Sequence, residues 1–187
     1  GYHYSYPELR ILLNKFSQKL ILNCQTNSYN FGFNLASKYK KSQVLGIDEN
    51  ELRLLAQDKD SPLDKIIKNN KKLFKKVKIL IVTQGKVGCY VLVNNKISFV
   101  PTILKPSLDT TGSGDIFLAM FSMLSLSKQF DINEILIISH VAAGIHANEL
   151  GNRFNLNKEY ISKVLSSVLV KVIVLKFVPS SLSSFLI

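Results

Sequence analysis

The 187 residues contain little that would place the chain outside a cell or in a membrane. There are only two cysteines, Cys24 and Cys89, far apart and matching no zinc or disulfide spacing. Each lies among apolar neighbours, so buried, inert thiols in a reducing cytoplasm are expected. No basic segment with a cleavage site precedes an apolar core, and no secretory leader is expected. Uninterrupted apolar runs of about twenty residues are also missing. The strongly apolar stretch 164–178 is broken by Lys171 and Lys176 and stopped by Pro179, which excludes a transmembrane helix there. No internal repeat is apparent. Acidic residues are scarce, 13 against 24 lysines and arginines, for a net charge of +11.

The shortage of acids is sharpest in the run Lys65, Lys68, Lys71, Lys72, Lys75, Lys76 and Lys78. Leu63, Ile66, Ile67, Leu73 and Phe74 recur at helical spacing through it, with Asn70 as the polar interruption. The pattern predicts a helix with lysines on the face opposite its apolar one. No arginine or aromatic interleaves with the charges on that face. A solvated helix surface accounts for it better than a nucleic-acid interface, the rival reading of a basic stretch.

What is present suits one α/β unit: 47% hydrophobic residues and helical and strand patterns that alternate. Helical spacing covers about 6–18 (Leu9, Leu12, Leu13, Phe16), and 19–24 reads as a short buried strand. The polar stretch 25–30 either caps a helix over 27–39 or faces a crevice at the end of that strand. A second strand, 42–47, ends in Asp48-Glu49-Asn50-Glu51 and leads into a helix. The run 77–82 is apolar enough to be a strand buried on both faces. Segments 89–93 and 96–100 then form a hairpin around Asn94-Asn95. The loop 101–108 leads to a helix after Gly114 that is apolar on nearly every side and so expected to be buried. Asp131 caps a long helix from Ile132 to about Leu150, ended by Gly151-Asn152. The fold class is therefore α/β, a mainly parallel sheet with helices on both faces.

The chemistry concentrates in Asp109-Thr110-Thr111-Gly112-Ser113-Gly114-Asp115, directly before the buried helix. Two glycines flanking a serine gather backbone amides at a helix start, where they have no intrahelical acceptor and the helix dipole adds positive charge. A phosphate oxygen suits that place. Asp115 at its edge could take a proton from an attacking hydroxyl while the amides hold the phosphoryl group. No lysine follows the glycines, which excludes a Walker loop. Phe117 stands where a dinucleotide fingerprint needs its third glycine. The plainer alternative is a turn whose Asp115 caps the helix.

The seven-residue string resembles the Asp-Thr-Thr-Gly-Ala-Gly-Asp signature of ribokinase-like (phosphofructokinase B-type) sugar kinases, with Ser113 in place of alanine. Thr83-Gln84-Gly85-Lys86-Val87-Gly88 is similar to that family's Thr-x-Gly-x-x-Gly turn. The resemblance implies that Thr83, Gly85 and Gly88 line the nucleotide; a simple strand turn is the alternative. Asp48 to Glu51 resembles the family's Asn-x-x-Glu motif, with Asp48 replacing asparagine. It implies a Mg²⁺ role for Glu51 and Asp48, against an ordinary pair of helix-start acids. His140 to Gly144 resembles the small-residue helix beside the family's adenine site. His140, Ala143 and Gly144 would then contact the nucleotide, although a lone histidine on an apolar helix is commonly a core residue. Asp109 and Thr111 would help hold a monovalent cation such as K⁺, or make ordinary turn hydrogen bonds.

The resemblance covers about 1–165 and leaves 166–187 as an apolar tail. It implies an incomplete ribokinase-like fold, lacking the upstream Gly-Gly-x-x-x-Asn sugar element and the small β lid. The function it implies is transfer of the ATP γ-phosphoryl group to a hydroxyl of a small-molecule sugar or sugar phosphate. ATP and Mg²⁺ are its cofactors, its location is cytoplasmic, no nucleic acid or membrane partner is expected, and a homodimer is left open. The alternative is a catalytically incomplete nucleotide-binding module that needs its missing half or a partner chain.

Overall fold

A computed structural model describes residues 7–17, 19–24, 41–102, 112–127 and 129–148, together with 159, 162 and 166. It comprises two compact units, Gly1–Thr102 and Ile103–Ile187. The helix expected over 27–39, the apolar tail 167–187 and the stop at Gly151-Asn152 lie outside the described residues.

The first unit is built on a five-stranded sheet in the order β1-β2-β3-β4-β5. β1 (Ile21–Asn23), β2 (Ser42–Asp48) and β3 (Val77–Thr83) run parallel. β4 (Gly88–Val93) and β5 (Lys96–Pro101) add an antiparallel hairpin on the β3 edge. The sheet is therefore mixed: a parallel part carries the crossover helices, and the hairpin expected around Asn94-Asn95 extends it. Asn94 and Asn95 both have positive φ, 48° and 66°, as a two-residue hairpin turn matching strand twist requires.

β2 leads through α2 (Glu49–Ala56) and α3 (Leu63–Asn69) back to β3. Leu52, Ile66 and Ile67 on these helices are fully buried against Leu45, Ile47, Leu80 and Val82 of the strands. Burying each such side chain stabilises the unit by ~1.5–3 kcal/mol before entropy is counted. Val44, Ile81 and Val91, which alternate to the opposite face, are buried as well, so the apolar runs of β2 and β3 are explained by burial on both sides.

The lysine-faced helix is shorter than its periodicity implies. It ends at Asn69, and Lys71 to Lys76 lie in consecutive turns. Asn70 is the C-cap: its backbone amide makes the last helical bond, to the Ile66 carbonyl at 3.0 Å, and its side-chain Nδ2 donates to the same carbonyl at 2.9 Å. The side-chain bond is the local competitor of further helix. Phe74 still reaches the core, whereas Leu73, expected on the apolar face, is exposed. α1 (Pro7–Lys15) also leaves Leu12, and Phe16 just beyond it, exposed.

In the second unit, α4 (Ser113–Ser127) packs along α5 (Ile132–Ala147). Asp131 caps α5 through the amides of Asn133 and Glu134, and the Glu134 carboxylate reaches back to the Asp131 amide. This reciprocal box fixes the helix start. Phe117 and Phe121 of α4 are buried, with Leu136, Val141 and Ala142 of α5. The all-round burial expected of α4 is not found, because Met123 and Leu126 are 67% and 78% exposed. One apolar stripe suffices to pair two helices.

Candidate functional site

β2 and β3 end together, and the residues just past their carboxyl ends are placed where open α/β sheets hold ligands. In the register of β2 and β3, Asp48 stands opposite Thr83. Asp48 is the N-cap of α2: its Oδ1 accepts from the Glu51 amide at 2.8 Å, and the Asp48 amide donates to Glu51 Oε2 at 2.9 Å. The structure thus brings Asp48, Glu51 and Thr83 to one sheet end, and the helix-start reading of the two acids is realised. Glu51 is 7% exposed, held against the strand end rather than free in solvent. No grouping of three or more His, Cys, Asp or Glu side chains able to hold a metal occurs among the described residues.

Beyond Thr83 the chain turns tightly. The Gln84 amide donates to the Gly88 carbonyl at 2.8 Å and the Val87 amide to the Gln84 carbonyl at 3.0 Å. Gly85, at φ +49°, is exposed at the tip, and a Cβ there would meet nothing within 4 Å. Gly88 is different. A Cβ at that residue would lie 2.3 Å from the Val100 carbonyl oxygen, so the close approach of β4 and β5 demands glycine. Gly88 therefore has a packing reason, while Gly85 leaves backbone open to a ligand. Next to Gly88, Cys89 is buried and burial pushes its thiol up to about 12, which keeps it protonated and inert.

In the second unit, Gly112 adopts φ +77° and its carbonyl accepts from the Ile116 amide at 3.1 Å, so the helix begins at Ser113. The amides of Ser113, Gly114 and Asp115 then form the first turn, where no intrahelical acceptor exists. Asp115 is exposed and sits in that turn, not at the capping position, which belongs to Gly112. Its carboxylate is at the positive end of the helix and is not turned into the packed interior. The Ser113 hydroxyl oxygen is buried with no hydrogen-bond partner. Asp109 and Thr111 lie outside the described residues.

Sequence reasoning missed His146. Its Nε2 lies 3.3 Å from the position a Cβ on Gly112 would take, so the imidazole borders the glycine turn. The available signal was its spacing of three from Ala143, which puts the two on neighbouring positions of one helix face. His140 is 6% exposed, with its ring tilted at 59° to that of Phe117 and 4.8 Å from it. Burial lowers its pKa to about 4, so it is neutral at pH 7. Ala143 and Gly144 are buried on the same helix, and Gly144's carbonyl accepts from Asn148 Nδ2 at 2.8 Å. These three residues are thus placed in helix packing.

The profile described as pfkB family carbohydrate kinase matches residues 16–159. Among solved structures, Arabidopsis thaliana ribokinase complexed with ribose and ATP is similar at 22% identity and TM-score 0.71, covering 84% of this chain and 52% of that one. Ribokinase from Thermotoga maritima is similar at 24% identity and TM-score 0.62, covering 72% and 46%. A candidate ribokinase II of Escherichia coli in complex with ATP and Mg²⁺ is similar at 18% identity and TM-score 0.56, covering 86% and 44%. At such identities the likeness is one of fold. The chain spans about half the length of these structures. A comparison with curated proteins found no match.

Proposed function

The chain belongs to the pfkB family of carbohydrate kinases, and on that premise we propose that the protein it represents phosphorylates a hydroxyl of a sugar or sugar phosphate with ATP. The observation that supports the reading is the helix start at Gly112: the backbone amides from Gly112 to Gly114 and an exposed Asp115 carboxylate share one turn of chain. In the proposed reaction Asp115 accepts the proton of the sugar hydroxyl. The hydroxyl oxygen bonds to the γ-phosphorus, the bond from that phosphorus to the β-phosphate bridge oxygen breaks, and ADP leaves. The amides of Gly112, Ser113 and Gly114 hold the transferring group as its charge redistributes.

The open backbone at Gly85 and the neighbouring Thr83 suit the nucleotide's phosphates and ribose. His140, Ala143 and Gly144, on one helix, would border the adenine. Mg²⁺, bound through water near Glu51 and Asp48, would neutralise phosphate charge. The donor set fits a hydrated ion, since carboxylate oxygens are the ligands a hard cation takes through its waters. Asp109 and Thr111 are assigned a monovalent cation such as K⁺. The proposed location is the cytoplasm; among the described residues no helix is long and apolar enough to cross a membrane.

Coverage of about half of each related structure favours one second reading, in which this chain binds nucleotide without turnover. The test is transfer of label from γ-labelled ATP to a panel of pentoses, hexoses, sugar phosphates and nucleosides by the full-length protein. Labelled sugar is the expected product. ATP binding with no labelled acceptor across the panel would favour the second reading.

A further inference from the structure

We propose a second anion site, at the opposite end of β3 from Thr83, that takes a small ligand carrying two or more phosphates on an apolar body. A cavity of about 640 Å³ lies between the Lys71–Lys78 segment and the β4–β5 turn. Lys71, Lys72, Lys75 and Lys78 line it, and among the described residues no acidic one does. Its remaining wall is partly apolar, from residues that include Ile79 and Leu92, and is closed by Asn94 and Asn95.

Four ammonium groups around one cavity repel each other unless a counter-anion joins them. The one ion pair found among the described residues is Arg53–Glu49, so none of these lysines is neutralised by a carboxylate there. Lys71 is positioned by the fold: its Nζ donates to the Asn95 carbonyl at 2.9 Å, which draws one cation to the hairpin turn. The end of α3 at Asn70 also matters. As a continuous helix this segment would spread its lysines along one face, whereas the turns that replace it gather them at the amino end of β3. A second cavity, of about 540 Å³, adjoins at Lys75 and adds Lys41 and Lys76, extending the positive field in the same direction.

The size and mixed lining suit a compact ligand rather than a flat polymer. Charge is supplied at the rim and apolar surface at the wall, a division that matches a nucleoside polyphosphate or a comparable phosphorylated metabolite. The strand separates this site from Thr83 by about 20 Å, at ~3.3 Å per residue. It is therefore independent of the kinase reading.

Calorimetric titration of the full-length protein with inorganic tripolyphosphate tests the proposal, using the double variant Lys72→Glu/Lys75→Glu. Both lysines are exposed, so the variant should melt with the wild type; Lys72→Gln/Lys75→Gln serves if it does not. Binding at this site should weaken roughly tenfold or more in the charge-reversed protein, as loss of charge-assisted contacts implies. Any binding at the Gly112 turn should be unaffected. Identical titrations of wild type and both variants would overturn the proposal. So would an RNA oligonucleotide that binds these lysines and is not displaced by tripolyphosphate, which would make the surface a nucleic-acid interface.

Discussion

His146 borders Gly112 within the second unit: the imidazole Nε2 stands 3.3 Å from the point where a side chain on Gly112 would begin. Gly112 also holds φ +77°, a conformation that costs an L-residue about 1–2 kcal/mol. Two separate constraints therefore select glycine at the helix start. Gly112→Ala should lower unfolding free energy by ~1–2 kcal/mol in denaturant titrations. Adding His146→Ala should relieve the contact but leave the backbone strain. Wild-type stability in Gly112→Ala would show that the turn relaxes freely.

Ser113 should matter through its amide alone. Its hydroxyl is buried without a partner, an arrangement that costs ~1–3 kcal/mol relative to a satisfied group. Ser113→Ala should therefore be neutral or stabilising in thermal melts and should leave kcat unchanged. A kcat loss would mean the hydroxyl touches substrate.

In the first unit, structural and ionic roles can be separated. Asp48→Ala removes the cap of α2 and should cost about 1 kcal/mol of stability. Glu51→Gln keeps an acceptor for the Asp48 amide, because a capping box works with either residue. If Glu51 serves Mg²⁺, this variant should raise the Mg²⁺ concentration for half-maximal rate by about tenfold, a usual loss when a metal's supporting ligand is changed. An unchanged Mg²⁺ requirement would restrict Glu51 to the helix start.

His140 predicts an acid-sensitive fold. Burial lowers its pKa to about 4 from an ordinary 6.5, so between those values the unfolded chain binds a proton that the folded chain does not. Its contribution is complete above about pH 6.5 and is lost as pH falls toward 4. The slope from this one group is at most about 1.4 kcal/mol per pH unit. Urea titrations at pH 7, 6 and 5 should show this loss in the wild type and a shallower one in His140→Asn. Parallel slopes would mean another group sets the acid response.

Features encoded over a few residues were the legible ones. The Asn94-Asn95 hairpin, the buried β3 run and the Asp131 cap each depend on local backbone chemistry and lie where the sequence puts them, whereas the helix expected after Gly114 begins earlier, at Ser113. The lysine-faced helix ends at Asn69 because apolar spacing cannot weigh the bond from the Asn70 side chain to the Ile66 carbonyl. Met123 and Leu126 are exposed because hydrophobicity reports what can be buried, not how much partner surface is available. His146 escaped notice because its contact with Gly112 is tertiary and joins residues 34 apart in the chain.

The proposed proton acceptor in phosphoryl transfer is Asp115, and a single substitution probes that role. Asp115 is exposed in the first turn of α4, so Asp115→Asn should melt close to the wild type. In the full-length protein with its best sugar acceptor, kcat should fall by at least ~10²-fold, the usual loss when a general base is removed. A folded Asp115→Asn protein that turns over at a near wild-type rate would contradict the account.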